Sequence, residues 1–221
     1  MSIAAWVVAG GEFHPSTLDA TQIGPLDIVV GVDKGIGYCL DIGVVPDFLM
    51  GDFDSIAPEL LKDPRLDGVD KQSFPARKNS SDLDLALQWL CSSNVSHVSL
   101  LAISGGRSDH HLLNWLLPLQ KDWPFTIELI DASVHATLVT PQYPLNTETY
   151  VDQVISLVPM PEALGVSTKG LEYPLHDAKL AAGSTLGLSN VASQSNICIS
   201  VSCGQLLVFR VRDGVAQDAT D

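Results

Sequence analysis

The sequence predicts an α/β chain in which a parallel-sheet half precedes an all-β half. Up to about residue 133, short apolar runs rich in Val, Ile and Leu alternate with helix-like segments, the pattern of a parallel sheet covered by helices. From residue 134 the texture changes to Thr, Ser, Val and Gly with frequent turns, and helical periodicity fades. With 221 residues and 46% hydrophobic content, the chain is long and apolar enough for one full core or two small ones. The expected organisation is a Rossmann-like parallel-sheet domain over 1–133 followed by a β-sandwich domain over 134–221, packed together with a cleft between them.

Six strands are expected in the first half, at 4–9, 28–32, 48–50, 98–103 and 125–130, with a weaker one at 69–74. Two helices are well marked. In Ser81-Asp82-Leu83-Asp84 the serine can cap the backbone and the acid three residues on completes a capping box, after which Leu83, Ala86, Leu87 and Leu90 recur at helical spacing. The second helix starts at Ser108, runs through Leu112, Leu113, Leu116 and Leu117, and stops near Pro118. In the second half, strands are expected at 136–140, 153–158, 165–168, 197–202 and 206–211, the last two joined by a turn at Cys203-Gly204.

Charge excludes several partners. Twelve Lys and Arg stand against 26 Asp and Glu, a formal charge of -14, so the surface repels nucleic-acid backbones and anionic membranes. No apolar run approaches the roughly 20 residues of a membrane helix, and the start lacks the charged leader of a secretory signal, so a cytoplasmic location is expected. Cys39, Cys91, Cys198 and Cys203 have no metal-site spacing and read as packed, reduced thiols.

Ligands of open parallel sheets bind outside the carboxyl ends of the strands, and the residues that follow each strand share one chemistry. They are Gly10-Gly11, Asp33-Lys34-Gly35, Gly51-Asp52-Phe53-Asp54-Ser55, Arg77-Lys78-Asn79-Ser80-Ser81-Asp82 and Ser104-Gly105-Gly106-Arg107-Ser108-Asp109-His110. Like charges 4 Å apart at an effective dielectric near 20 repel by about 4 kcal/mol per pair, so clustered carboxylates call for a cation among them. Asp52, Asp54 and Asp82 offer the hard oxygen ligands that suit Mg2+, which commonly bridges carboxylates to substrate phosphates. A magnesium nucleotide is the expected ligand. Gly10, Gly11, Gly35, Gly105 and Gly106 let backbone amides approach phosphate, the helix starts at Ser81 and Ser108 add favourable dipoles, and Arg107 can clamp phosphate at two points. His110 and His111 lie in the first turn of the Ser108 helix, where one could donate to a substrate. Each feature alone has a structural reading, as a turn, a helix cap or a solvated pair; their coincidence at one sheet edge favours a site.

Taken together, Pro46-Asp47-Phe48-Leu49-Met50-Gly51-Asp52-Phe53-Asp54-Ser55, Lys78-Asn79-Ser80-Ser81-Asp82-Leu83-Asp84-Leu85-Ala86-Leu87 and Gly105-Gly106-Arg107-Ser108-Asp109-His110 resemble the thiamine pyrophosphokinase family in order and spacing. Ser167-Thr168-Lys169-Gly170-Leu171-Glu172-Tyr173-Pro174-Leu175 and Leu188-Ser189-Asn190 extend the resemblance over nearly the whole chain. Asn79 and Ser81 stand where that family usually has Asp and Thr, Asp33-Lys34-Gly35-Ile36-Gly37 departs from its common loop, and the last strand lacks the tryptophan some members carry there.

The resemblance implies an enzyme that moves the terminal diphosphate of ATP to the hydroxyl of thiamine, giving thiamine diphosphate and AMP, with an α/β nucleotide domain, a β-sandwich and a homodimer whose thiamine pocket draws on both subunits. It implies Asp52, Asp54 and Asp82 as Mg2+ ligands; Asp33, Lys78, Arg107 and Asp109 around nucleotide and reacting groups; and Ser189 and Asn190 near thiamine. Arg107 would stabilise developing charge and Asp109 would orient or deprotonate the attacking hydroxyl. Three alternatives stand beside this: a pterin-type diphosphokinase, a phosphatase of the haloacid dehalogenase type suggested by Asp52-Phe53-Asp54-Ser55, and a non-catalytic nucleotide- or thiamine-binding regulator suggested by Asn79.

Overall fold

The apolar run Ile3–Val8 forms β1, and five further strands lie parallel around it: β2 (Ile28–Val32), β3 (Phe48–Gly51), β4 (Asp70–Ser73), β5 (Val95–Leu101) and β6 (Thr126–Ile130). Their order is β4-β3-β2-β1-β5-β6. The computed structural model describes residues 3–17, 23–25, 27–53, 56–73 and 80–212. Asp54, Lys78 and Asn79 lie outside the described residues. The architecture is mixed α/β with few helices, and the chain divides into two compact units, residues 1–117 with 123–131, and residues 118–122 with 132–221.

Helices α1 (Gly35–Asp41), α2 (Asp82–Leu90) and α3 (Ser108–Leu116) belong to the first unit. The glycines at 35 and 37 hide α1 from a propensity reading, and residues expected as loop are helical because Ile36, Cys39 and Leu40 gain burial there. Ile36 and Leu40 pack with Leu49, Ile56 and Leu66, and Cys39 packs with Trp6, Val8 and Val29 on the same sheet face. The opposite face carries α2, whose Trp89 ring lies 4.4 Å from that of Phe48. Ser81 caps α2 as expected, its Oγ accepting the Asp84 N–H at 3.2 Å.

The second unit is antiparallel. Its strands are β7 (Val134–Val139), β8 (Leu145–Glu148), β9 (Val154–Lys169), β10 (Ala178–Ala181), β11 (Asn190–Val191), β12 (Asn196–Ser200) and β13 (Cys203–Val211). The main path runs β7-β13-β9-β12-β8, with β10 and β11 also on β9. Two short strands expected at 153–158 and 165–168 are one strand of 16 residues. Pro159, Pro161 and Gly165 look like breaks, yet β9 passes them by changing partners: β13 along 155–164 and β12 along 167–169. The expected turn at Cys203-Gly204 lies inside β13 instead, with Gly204 at φ 80 beside a register shift, and the chain reverses at Val201-Ser202. A core of Ile155, Leu157, Val166, Ile197, Ile199, Leu206 and Val208, among others, fills this unit.

All four cysteines are free. Cys39 is buried as expected, but Cys91 and Cys203 are exposed and Cys198 is half-buried, because each of those three sits on a helix end or strand face left uncovered. No helix among the described residues is long and apolar enough to cross a membrane.

Candidate active site

The strand order contains a switch point. From β1 the chain builds β2, β3 and β4 to one side, then returns to place β5 and β6 on the other. Connections leave β1 and β5 in opposite directions, so their carboxyl ends flank the crevice where ligands of open sheets bind.

That crevice is cross-tied. Ala9 N–H donates to Leu101 O at 2.9 Å, Gly11 N–H to Ala102 O at 2.7 Å, and Glu12 N–H to Ser104 O at 2.7 Å. The Tyr38 hydroxyl donates to Gly11 O at 2.8 Å. Helix α3 holds the other lip: Asn114 Nδ2 donates to Ile103 O at 3.0 Å, and Trp115 Nε1 to Ser104 Oγ at 3.2 Å. The Gly105 N–H donates to His111 Nδ1 at 3.0 Å, so a neutral His111 carries its proton on Nε2. Glu12, Tyr38, His111, Asn114 and Trp115 therefore shape the loop, although only His111 drew notice in sequence, and then for substrate contact. A polar residue directly after Gly10-Gly11 is the signal that could have found Glu12.

Backbone strain gathers at the same edge. Asp33 (φ 50), Phe53 (φ 59) and Ala102 (φ 53) are non-glycine residues in the left-handed region, each within two residues of the end of β2, β3 or β5. Such conformations cost about 1–3 kcal/mol each and concentrate at functional sites.

The expected phosphate-binding glycines separate into two kinds. A Cβ on Gly35 would lie 2.5 Å from Val8 C and 2.7 Å from Ala9 O, and one on Gly11 would lie 2.5 Å from Ala102 O. Packing requires glycine at both positions. A Cβ on Gly10 would meet Lys34 N at 3.5 Å, ordinary contact, and one on Gly106 (φ 64) would meet nothing within 4 Å. Gly106 thus presents backbone to open space, whereas Gly10 stands in ordinary contact distance of Lys34 and Asp33. Gly105 is covered by the Glu12 side chain.

Of the expected metal ligands, Asp52 follows the end of β3 and Asp82 opens α2, both partly buried. Helix α2 ends at Leu90 and β5 begins five residues later at Val95, opposite Ile3 at the amino edge of the sheet. A nine-residue helix spans roughly 13 Å, so α2 runs Asp82 back from the amino edge toward the carboxyl edge. Asp33 reaches this edge too: its N–H donates to Met50 O at 3.0 Å, and its carboxylate lies over Gly51 where a Cβ would collide with it. Among the described residues no three His, Cys, Asp or Glu side chains form a metal-holding group, and the third expected ligand, Asp54, is outside them. Hard carboxylate oxygens from two elements at one edge nevertheless have the donor chemistry of a Mg2+ site.

Arg107 and Asp109 face each other. Nη2 lies 2.6 Å from Oδ2 and Nε 3.1 Å from Oδ1, a two-point pair at the exposed start of α3. The hydrogen bond from Arg107 holds the Asp109 carboxyl down to about 2. A carboxylate that releases its proton so readily is a poor general base at neutral pH. His110 is exposed in the same turn.

In the second unit, Ser189 (φ 52) is exposed and its N–H donates to Ser156 Oγ at 3.0 Å. Asn190 is 5% exposed, and its amide is used on backbone: Oδ1 accepts from Tyr173 N–H at 3.1 Å and Val191 N–H at 2.8 Å, while Nδ2 donates to Tyr173 O at 2.7 Å.

Comparison with known proteins decides the family. Residues 23–124 match the model for the thiamin pyrophosphokinase catalytic domain, and residues 142–206 match that for the thiamin pyrophosphokinase vitamin B1 binding domain. A thiamine pyrophosphokinase from Bacillus subtilis (strain 168) is 33% identical over 213 residues, covering 94% of this chain and 98% of the relative. The chain belongs to the thiamine pyrophosphokinase family. The crystal structure of the Bacillus subtilis thiamine pyrophosphokinase superposes with a TM-score of 0.83 at 29% identity, covering 95% of this chain and 99% of that one. That of the Geobacillus thermodenitrificans thiamin pyrophosphokinase gives 0.77 at 28% identity, covering 96% and 98%. The catalytic-domain match takes in β2 through α3, and the B1-binding match takes in Tyr173, Ser189 and Asn190.

Proposed function

We propose that this chain is an ATP-dependent thiamine diphosphokinase, transferring the diphosphate of ATP to the thiamine hydroxyl and releasing AMP. What supports the reading is the match of residues 23–124 to the catalytic-domain model, together with the switch point of the sheet, whose strands lead into Asp33, Asp52, Gly106 and Arg107. In this reading the first unit works as a Rossmann-like nucleotide domain and the second as a thiamine-binding β-sandwich.

Attack on the β-phosphorus in line with the departing AMP oxygen asks mainly for positioning and charge neutralisation. Gly106 has the open backbone to approach phosphate and Gly10 would join it, while Arg107 and Lys78 would supply positive charge. Asp33, pressed over Gly51, sets the floor of the nucleotide site. Asp52, Asp54 and Asp82 would hold Mg2+, which when bound offsets the negative charge of the triphosphate. Asp109 occupies Arg107 until phosphate takes its place, and the Arg107 hydrogen bond that holds its carboxyl down to about 2 makes it a poor proton acceptor.

A second copy of the chain belongs to this reading. Leu112 and Leu113 are 57% and 63% exposed on α3, a helix with no buried residue, and a partner subunit would cover them. Four free cysteines and the negative charge fit a reducing cytoplasm, away from nucleic acid and membranes.

The test is incubation with Mg-ATP and thiamine followed by phosphorus NMR. AMP with thiamine diphosphate is the expected result. ADP with a monophosphate ester, free phosphate, or no reaction would each reject the assignment; a pterin acceptor in place of thiamine would move it to the related diphosphokinases.

A further inference from the structure

One hydrogen bond in the second unit reaches across 83 positions of sequence: Gln205 Nε2 donates to Asp122 Oδ1 at 2.8 Å. The backbone of β13 is shaped to make it. Gly204 stands at φ 80, where a Cβ would collide with the Glu162 carbonyl, and the pairing with β9 shifts register between Gly204 and Leu206. A bulge of this kind re-aims a side chain, and Gln205 is the residue it re-aims. The other end of the amide is sacrificed, since Oε1 is buried with no hydrogen-bond partner among the described residues, which costs stability.

Asp122 ends an unusual stretch of chain. Residues 118–122 belong to the second unit, while α3 before them and β6 after them belong to the first. Pro118 and Leu119 are buried, and Trp123, 3% exposed and stacked 5.8 Å from Phe125, leads on into β6. This strap is continuous with the end of α3, and α3 has Arg107 at its start. A regular helix of nine residues with no cause to kink moves as one body, so a displacement at Leu117 is passed on to Arg107. Arg107 itself has two partners to choose between, Asp109 and an incoming phosphate, which gives the element two states to be biased.

We infer that the Gln205–Asp122 hydrogen bond ties the strap to β13 and makes α3, with Arg107, respond to acceptor bound on the second unit, so that each substrate favours binding of the other. The inference rests on the two-substrate reading above and adds to it a coupling between the two sites. Gln205 and Asp122 are positioning residues that touch neither substrate.

Calorimetric titration of the full chain with Mg2+ and α,β-methylene-ATP, which cannot release AMP, tests this with and without saturating thiamine. In wild type, thiamine should tighten nucleotide binding at least roughly fivefold, the lower end of ordinary coupling between sites. Asp122→Ala and Gln205→Ala should bring that ratio to about one while each ligand alone binds within about twofold of wild type. Asp122→Asn, which keeps an oxygen acceptor for Gln205 Nε2, should retain the coupling. A ratio of one in wild type, or the wild-type ratio in Asp122→Ala, overturns the inference; a loss in Asp122→Asn as complete as in Asp122→Ala overturns the hydrogen bond as its cause. Asp122 is exposed, so its variants decide the matter even where Gln205→Ala fails to fold. If wild type binds neither ligand, the functional reading fails by itself. Hydrogen exchange of the ligand-free chain then decides the tie: the amides of 113–122 should exchange at least about tenfold faster in Asp122→Ala, and unchanged rates overturn it.

Discussion

Replacing Gly35 by alanine isolates what the nucleotide-side glycines do. A Cβ there would sit 2.5 Å from Val8 C and 2.7 Å from Ala9 O, and nearer still to Val8 O. These are backbone atoms of the central strand, which cannot rotate aside as a side chain would. Overpacking of a close-packed interior costs about 1–3 kcal/mol where neighbours can give, so a value near the upper end, about 3 kcal/mol, is expected here. For a chain of 150–250 residues each kcal/mol lowers Tm by about 2–4 °C, which makes the loss roughly 6–12 °C. Thermal unfolding followed by circular dichroism reads this directly. Gly10→Ala is the control: its Cβ meets Lys34 N at 3.5 Å and Lys34 Cβ at 3.6 Å, so Tm should stay within about 2 °C, while the ATP KM rises because the amide approach is obstructed. A Gly35→Ala protein that melts with wild type would refute the assignment of Gly35 to packing. A Gly10→Ala protein with unaltered ATP KM would remove Gly10 from the phosphate site.

Three further outcomes follow from the site. Asp52→Ala should lower turnover at least about a hundredfold while leaving stability within about 0.5 kcal/mol; near-normal turnover with magnesium would end its role as a ligand. Because Arg107 holds Asp109 down to about 2, below the ordinary carboxylate value, Asp109 keeps its charge through neutrality and loses it only as pH falls through about 2. Asp109→Asn should therefore leave the limbs of the kcat/KM profile between about pH 5 and 9 where they are, and a limb that vanishes would make Asp109 the titrating group. Burial pushes the Cys39 thiol up to about 12, whereas Cys91 and Cys203 are exposed. Thiol labelling at about pH 8 should modify Cys91 and Cys203 in native protein and Cys39 only after denaturation, and peptide mapping that finds Cys39 labelled first would contradict this.

The parallel half was legible because β1, β2 and β3 are largely buried on both faces and read as apolar runs, and because α2 announces itself through Ser81, Asp84 and a regular Leu stripe. The first helix was not, since Gly35 and Gly37 argue against it and only the burial of Ile36, Cys39 and Leu40 outweighs them. In the β half, propensity saw breaks at Pro159, Pro161 and Gly165, but continuity of β9 depends on which strands lie beside it, and that is a tertiary fact. The candidate site residues that motifs picked out, Asp33, Asp52, Asp82, Arg107 and Asp109, belong to strand-end loops and to the starts of α2 and α3, where the chemistry is local in sequence. The residues that hold those loops, Glu12, Tyr38, His111 and Asn114, act through single hydrogen bonds to carbonyls or amides of other segments, which leave no periodic trace.

Residue type therefore marks a place at the site without fixing the task done there. Gly35 and Gly106 are both glycines at the carboxyl edge of the sheet, yet one is wedged against Val8 and the other faces open space in a left-handed conformation. Asn190 carries the amide of a ligand-binding residue and uses it on the backbone of Tyr173, seventeen positions away. Arg107 and Asp109 read as clamp and base, but two residues apart at a helix start they hydrogen-bond one another. In each case the decision is made by the nearest neighbour in space. An incoming triphosphate must compete with Asp109 for Arg107 at this site, so relieving that competition by Asp109→Asn should tighten ATP binding in calorimetric titration while slowing turnover. Weaker ATP binding in that variant would show that Asp109 supports the clamp and does not oppose it.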